Sequence, residues 1–190
     1  MSKAWFALPL AAFVLIAAKP APIVAPPLPS MSAPAEVAAD PANTLTLQLS
    51  NGGTVVIQMR PDLAPNHVAR IQTLVRQGFY NGLSFHRVIP GFMAQGGDPK
   101  GTGEGGSSLP DLKAEFTNMP FLRGTVAAAR AKSPDSANSQ FFIMFIPNAS
   151  LEMDYTVFGR VISGMDAVDR IAPGEPPAEP TKIVSANLGK

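Results

Sequence analysis

Thr44 to Arg60 reads T-L-T-L-Q-L-S-N-G-G-T-V-V-I-Q-M-R, and its alternation decides the class of fold. Leu45, Leu47 and Leu49 occupy every second position before the turn, and Val55, Ile57 and Met59 do so after it. A period of two puts each set on one face of a strand, and Asn51-Gly52 between them is the strongest short hairpin signal. One apolar face per strand predicts an antiparallel sheet with a covered side and a wetted side. Strand-like runs follow at Ser84–Ile89, Phe92–Gln95, Leu112–Phe116, Thr125–Ala129, Gln140–Ile146, Thr156–Ile162 and Lys182–Leu188. Two helical stretches interrupt them. Pro65 opens one, with Val68, Ile71, Leu74 and Val75 at helical spacing until Gly78; Gly164–Ile171 is the other, ending before Pro173. The pattern predicts a mainly β fold: a closed eight-stranded antiparallel β-barrel capped by two α-helices. Side chains fill the interior of a barrel of that size, so its binding site is expected on the outside.

Outward from this domain, the N-terminal part of the 190-residue chain has a different character. Lys3 followed by the uncharged stretch Ala4–Ala18 reads as the n-region and h-region of an export signal, shorter than the ~20 residues of a spanning helix. Residues 1–18 are therefore a cleaved signal peptide or a retained N-terminal anchor. Residues 19–42 carry prolines at 20, 22, 26, 27, 29, 34 and 41, and read as an extended Pro/Ala-rich linker without a core of its own. Residues 43–190 are the size of one domain. The expected location is outside the cytoplasm, in a periplasm, with the N-terminus as a tether to the inner membrane if it is retained. No oligomer signal is present, and the expected state is a monomer.

Charge and composition exclude several chemistries. Fifteen Lys and Arg against 14 Asp and Glu, scattered without a basic run, give no phosphate-tracking patch and no expected nucleic-acid partner. With no cysteine and only two histidines, His67 and His86, neither a His-based metal site nor a Ser–His triad has its material. No metal and no cofactor are expected. Gly101-Thr-Gly-Glu-Gly-Gly106 matches G-x-G-x-x-G, but no clear strand leads directly into it; it reads as a mobile glycine loop. Asn148-Ala-Ser150 is a formal glycosylation acceptor.

The candidate chemistry lies in two segments, F-H-R-V-I-P-G-F-M-A-Q-G-G-D at Phe85–Asp98 and S-Q-F-F-I at Ser139–Ile143. Met93 and Gln95 are two apart and share a strand face, as do Gln140 and Phe142, while Phe141, Ile143 and Phe145 take the opposite, core-facing side. Met93 and Phe142 are then expected to point away from the core beside two amides and Arg87. Large apolar groups clustered outside the core with fixed polar groups describe a binding groove.

From about Asn43 to the C-terminus these segments resemble the cyclophilin family of peptidyl-prolyl cis–trans isomerases. The resemblance implies that Arg87 is the catalytic arginine, that Phe92, Met93, Phe142 and Leu151 form the proline pocket, and that Gln95 and Gln140 bind substrate. It also implies that Ala129 and Arg130 lie near the substrate-backbone strand. Two positions depart from the family pattern: Tyr155 stands where a histidine is frequent, and Ser150 where eukaryotic members often carry tryptophan. The implied activity is rotation of X–Pro bonds in unfolded or extended polypeptides, with proline-containing chains as partners. A proline-peptide-binding chaperone or scaffold module without turnover is the alternative.

Overall fold

The computed structural model describes residues 30–189; the expected signal or anchor at residues 1–18 lies outside the described residues. Eight strands follow in chain order: β1 Thr44–Leu49, β2 Thr54–Met59, β3 Phe85–Ile89, β4 Met93–Gly96, β5 Thr125–Ala128, β6 Phe141–Met144, β7 Val157–Ser163 and β8 Ile183–Leu188. The first hairpin forms as its sequence predicts, with Leu47 opposite Val55 and Gly52 at φ +82° in the turn, where a side chain would be strained. Its alternating residues enter the main core, where Leu47, Val55, Ile57 and Met59 are 1% exposed or less.

One of the strand-like runs does not form a strand. Leu112–Phe116 makes a single bridge, from Leu112 to Ala137, because side chains take up two of its following amides: Ala114 N–H donates to Asp135 and Glu115 N–H to Thr156 Oγ1. A backbone satisfied in that way has no ladder to join.

The strands form one antiparallel sheet in the order β3-β4-β6-β5-β7-β2-β1-β8. The sheet is open, a half-barrel rather than the closed barrel expected. Its end strands β3 and β8 are linked only by contacts of residues at or just before their starts, such as the Ser84–Lys182 bridge and the bond from Phe85 N–H to Thr181 O. Pro173, Pro176, Pro177 and Pro180 explain the gap, since the segment that would continue the ladder lacks four of its N–H donors.

Three α-helices are described: α1 Ala35–Ala39, α2 Pro65–Arg76 and α3 Met165–Asp169. The second has Pro65 at its first turn and buries Val68, Ile71, Leu74 and Val75, as its spacing predicts. Its preceding residue, Ala64, offers no side-chain cap, and Glu115 supplies one from a distant loop by accepting from the N–H groups of Asn66 and His67 at 3.1 Å each.

The first helix lies within the described end of residues 19–42, the stretch expected to be an extended linker. Its Val37 is buried, Asn43 donates to Val37 O at 3.1 Å, and Arg60 Nη1 donates to Ser30 O at 2.9 Å. Met31, Ser32, Ala33 and Ala38 also wall a cavity of about 600 Å³ over β2, β5 and β7. Prolines at 34 and 41 bracket the helix rather than interrupt it, which the proline count alone conceals. A chain starting at Thr44 is therefore expected to lose about 2 kcal/mol relative to one starting at Ser30, the order of one buried valine. Denaturant midpoints of the two chains measure this, and equal midpoints would return residues 30–43 to the status of a tether.

Candidate functional site

Strands β3, β4, β6 and β5 are neighbours, and their registers align one row across the outer face of the sheet. Arg87 lies opposite Gln95, Gln95 opposite Phe142, and Phe142 opposite Ala127. The period-two reading of β6 holds: Phe142 and Met144 join an outer apolar cluster with Met93, while Phe141, Ile143 and Phe145 join the main core. Phe92 escapes the alternation because it precedes β4 in the turn, and so it lines the same cavity as its neighbour Met93.

That cavity measures about 240 Å³. Arg87, Phe92, Met93 and Gln95 form one side of it. Ala129, Arg130, Phe142, Leu151 and Tyr155 form the other. Of the residues singled out in the sequence, Gln140 alone lies outside it, beside an adjoining cavity of about 480 Å³. The amide of Gln140 accepts from Gln95 Nε2 at 2.9 Å and donates to the carbonyls of Gly103 and Gly105. Its donors hold the glycine segment, so it orients Gln95 rather than facing the apolar pocket.

The floor is more covered than the sequence suggests. Met93 is 1% and Phe142 5% exposed, because Phe121 stacks on Phe142 with centroids 6.2 Å apart and Tyr155 meets its edge at 5.5 Å. Phe121 was not among the sequence candidates; it sits in an irregular stretch with no periodicity to mark it. Leu151 is placed by a 3₁₀ turn, Ala149–Leu151, that Asn148 caps by accepting from Ser150 N–H at 3.0 Å. Ser150 Oγ donates to the same Asn148 oxygen at 2.7 Å. The apparent acceptor motif is thus a local cap.

The two guanidinium groups differ in how they are held. Arg130, 12% exposed, donates to the carbonyls of Ala131, Lys132 and Asp154 and to the Asp154 carboxylate, and lies 4.7 Å over the ring of Tyr155. Its donors are engaged in shaping the wall. Arg87, 42% exposed, has one hydrogen bond among the described residues, from Nε to Glu175 Oε2 at 2.6 Å.

The glycine segment is tied down rather than free. Asp98, 1% exposed, accepts from the backbone N–H groups of Lys100, Thr102 and Gly103 at 2.6–2.9 Å. Burial pushes its carboxyl up, but the backbone donors outweigh that and hold it below the usual aspartate range. A Cβ on Gly105 would come within 1.8 Å of Asp98 Oδ1, so this glycine is required by close approach rather than by a phosphate.

Both histidines are buried, and burial lowers both below the usual imidazole value of 6.5. At His67 burial outweighs the pull of Glu115, whose own carboxyl is held low despite burial by His67 and the Asn66 and His67 amides. A neutral imidazole donating from Nδ1 to the carboxylate at 2.6 Å fits this, because Nε2 is buried with no partner among the described residues. At His86 burial prevails over Asp98, with Arg87 adding to the lowering. A histidine lowered by folding stabilises the native state fully above its unfolded value and loses that contribution as pH falls toward its folded value. The melting temperature is therefore expected to fall from pH 7.5 to 5, starting near 6.5, and to fall less steeply in His86→Leu. A wild-type profile flat across that range would show that neither ring is held neutral.

Residues 44–188 match the family described as cyclophilin type peptidyl-prolyl cis-trans isomerase/CLD. A probable peptidyl-prolyl cis-trans isomerase of Brucella suis is 53% identical, over 80% of this chain and 85% of that protein. Among solved structures, cyclophilin AquaCyp293 from Hirschia baltica superposes with a TM-score of 0.73 at 31% identity, covering 78% of this chain and 74% of that one. A cyclophilin-type isomerase of Cryptosporidium parvum, crystallised in the presence of the dipeptide Ala-Pro, gives 0.71 at 25% identity, covering 77% of this chain and 99% of that one. With the family match spanning the whole sheet, from the first residue of β1 to the last of β8, the chain belongs to the cyclophilin-type peptidyl-prolyl cis–trans isomerases.

Proposed function

We propose that Arg87 and the apolar pocket beside it carry out the prolyl isomerisation that characterises this family, acting on X–Pro bonds in extended or unfolded polypeptides. The observation that carries this is the convergence of Arg87, Gln95, Met93 and Phe142 on one cavity of about 240 Å³. That volume falls below the usual range for small-molecule sites and suits a single side chain such as a proline ring.

The chemistry asks little else of the protein. Rotation about an X–Pro bond meets a barrier of about 18–20 kcal/mol because amide resonance is lost in the twisted state. As resonance is lost, the prolyl nitrogen regains a lone pair and becomes an acceptor. A guanidinium N–H beside the ring interacts with that lone pair more strongly in the twisted state than in the planar one, and such a difference accelerates rotation. Phe92, Met93 and Phe142 hold the ring, and the Gln95 amide, fixed by Gln140, offers hydrogen bonds to the flanking backbone. No proton moves and no covalent bond forms.

Export is part of this proposal, supported by Lys3 and the uncharged stretch that follows it. Newly exported chains fold past slow X–Pro steps, which gives a periplasmic isomerase its clients. The test measures exchange of an Ala-Pro tetrapeptide and the proline-limited refolding of a reporter protein, with wild type beside Arg87→Ala. Acceleration of both by the wild type and loss of both in the variant are expected. Peptide binding without exchange in the wild type would favour a chaperone module instead.

A further inference from the structure

We propose that Glu175 is a positioning residue for Arg87, holding the guanidinium by its Nε edge so that its Nη groups remain for the substrate. This rests on the reading of Arg87 given above. Several features favour it. Arg87 Nε donates to Glu175 Oε2 at 2.6 Å, whereas Nη1 and Nη2 have no hydrogen-bond partner among the described residues. Arg130 on the same cavity is the opposite case, with its bonds distributed over both Nη groups as well as Nε.

The loop is built to deliver this carboxylate. Gly174 and Val88 exchange both backbone hydrogen bonds, Val88 N–H to Gly174 O at 2.8 Å and Gly174 N–H to Val88 O at 2.9 Å. That bridge docks the loop beside the residue that follows Arg87, and Glu175 is the next residue out. Gly174 sits at φ +142°, and a Cβ there would meet Pro177 Cα at 2.6 Å, so this anchor accepts no side chain.

Stability does not account for the pair. Both side chains are about half exposed, 42% and 52%, and exposed ion pairs contribute little to folding. A flexible arginine on an open rim does, however, need fixing if it is to act as a preorganised donor. Glu175 does so without lining the cavity itself, through a nitrogen that leaves the fork's outer edge unengaged.

Exchange spectroscopy on an Ala-Pro tetrapeptide tests the assignment, using Glu175→Ala, Glu175→Gln, Arg87→Ala and the double variant. Glu175→Ala is expected to lower kcat about tenfold with KM and melting temperature unchanged, since a small misplacement of a catalytic group costs up to ~10²-fold. Glu175→Gln keeps an acceptor and should fall between it and wild type. The Arg87 Nε–H resonance should move upfield in Glu175→Ala, and removing Glu175 from Arg87→Ala should cost nothing further. Wild-type kcat in Glu175→Ala, a gain of activity there, or an equal further loss in the double variant would each overturn the assignment. If Arg87→Ala retains wild-type activity, the reading of Arg87 fails first; if Arg87→Ala is inactive while Glu175→Ala is normal, the positioning role alone fails.

Discussion

Arg87→Ala is expected to lower kcat/KM for simple X–Pro peptides by roughly 10²–10³, the range for losing one preorganised donor to a developing charge or lone pair. Arg87 is the cavity's donor with Nη groups free of hydrogen-bond partners among the described residues, so no neighbour is placed to substitute for it. Stability should barely change, because the side chain is partly exposed and its ion pair with Glu175 is worth only ~0–1 kcal/mol. A folded variant of unchanged melting temperature and lost activity is thus the expected result. A protease-coupled assay beside a thermal melt measures both, and wild-type turnover would remove Arg87 from the mechanism.

Phe142→Ala should act on stability and binding together. At 5% exposure, stacked on Phe121 and edge-on to Tyr155, the ring is a core residue of the outer cluster as well as the floor of the pocket. A buried phenylalanine reduced to alanine costs about 3–5 kcal/mol, against a total stability of ~5–15 kcal/mol for a domain. A fall in melting temperature of about 10 °C is expected for a chain of this size, with a raised KM in the fraction that remains folded. Phe142→Leu keeps more of the volume and should separate the two effects, melting nearer wild type while still binding weakly. Unchanged peptide affinity in Phe142→Leu and Phe142→Ala would make the residue a purely structural cover.

The parts of this protein that were legible in its sequence are those specified by short-range pattern. Period-two alternation separates Phe141 from Phe142 correctly, because adjacent strand residues must face opposite sides of a sheet. The α2 boundaries follow from Pro65 and Gly78 for the same local reason. What remained hidden depends on distant partners. Glu175 stands 88 residues from Arg87, and Phe121 reaches Phe142 from a stretch without regular structure. Neither has a local signature. Gln140 was expected to bind substrate, but its donors serve the carbonyls of a glycine segment 35–37 residues away, which no local pattern announces. The closed barrel failed through chemistry the sequence does display, four prolines in eight residues at the seam, whose effect on a ladder appears only when β3 and β8 are brought face to face.

The row Arg87, Gln95, Phe142, Ala127 also measures length. Four neighbouring strands spaced about 4.8 Å apart span about 14 Å from first to last, the reach of about four residues of extended chain. On the proposed reading of this site, a polypeptide laid across it is inspected over about that distance. Recognition is then a matter of local sequence around one proline, indifferent to whatever fold the rest of the client will adopt. A gauge so short suits clients that have in common only a stretch of unfolded chain.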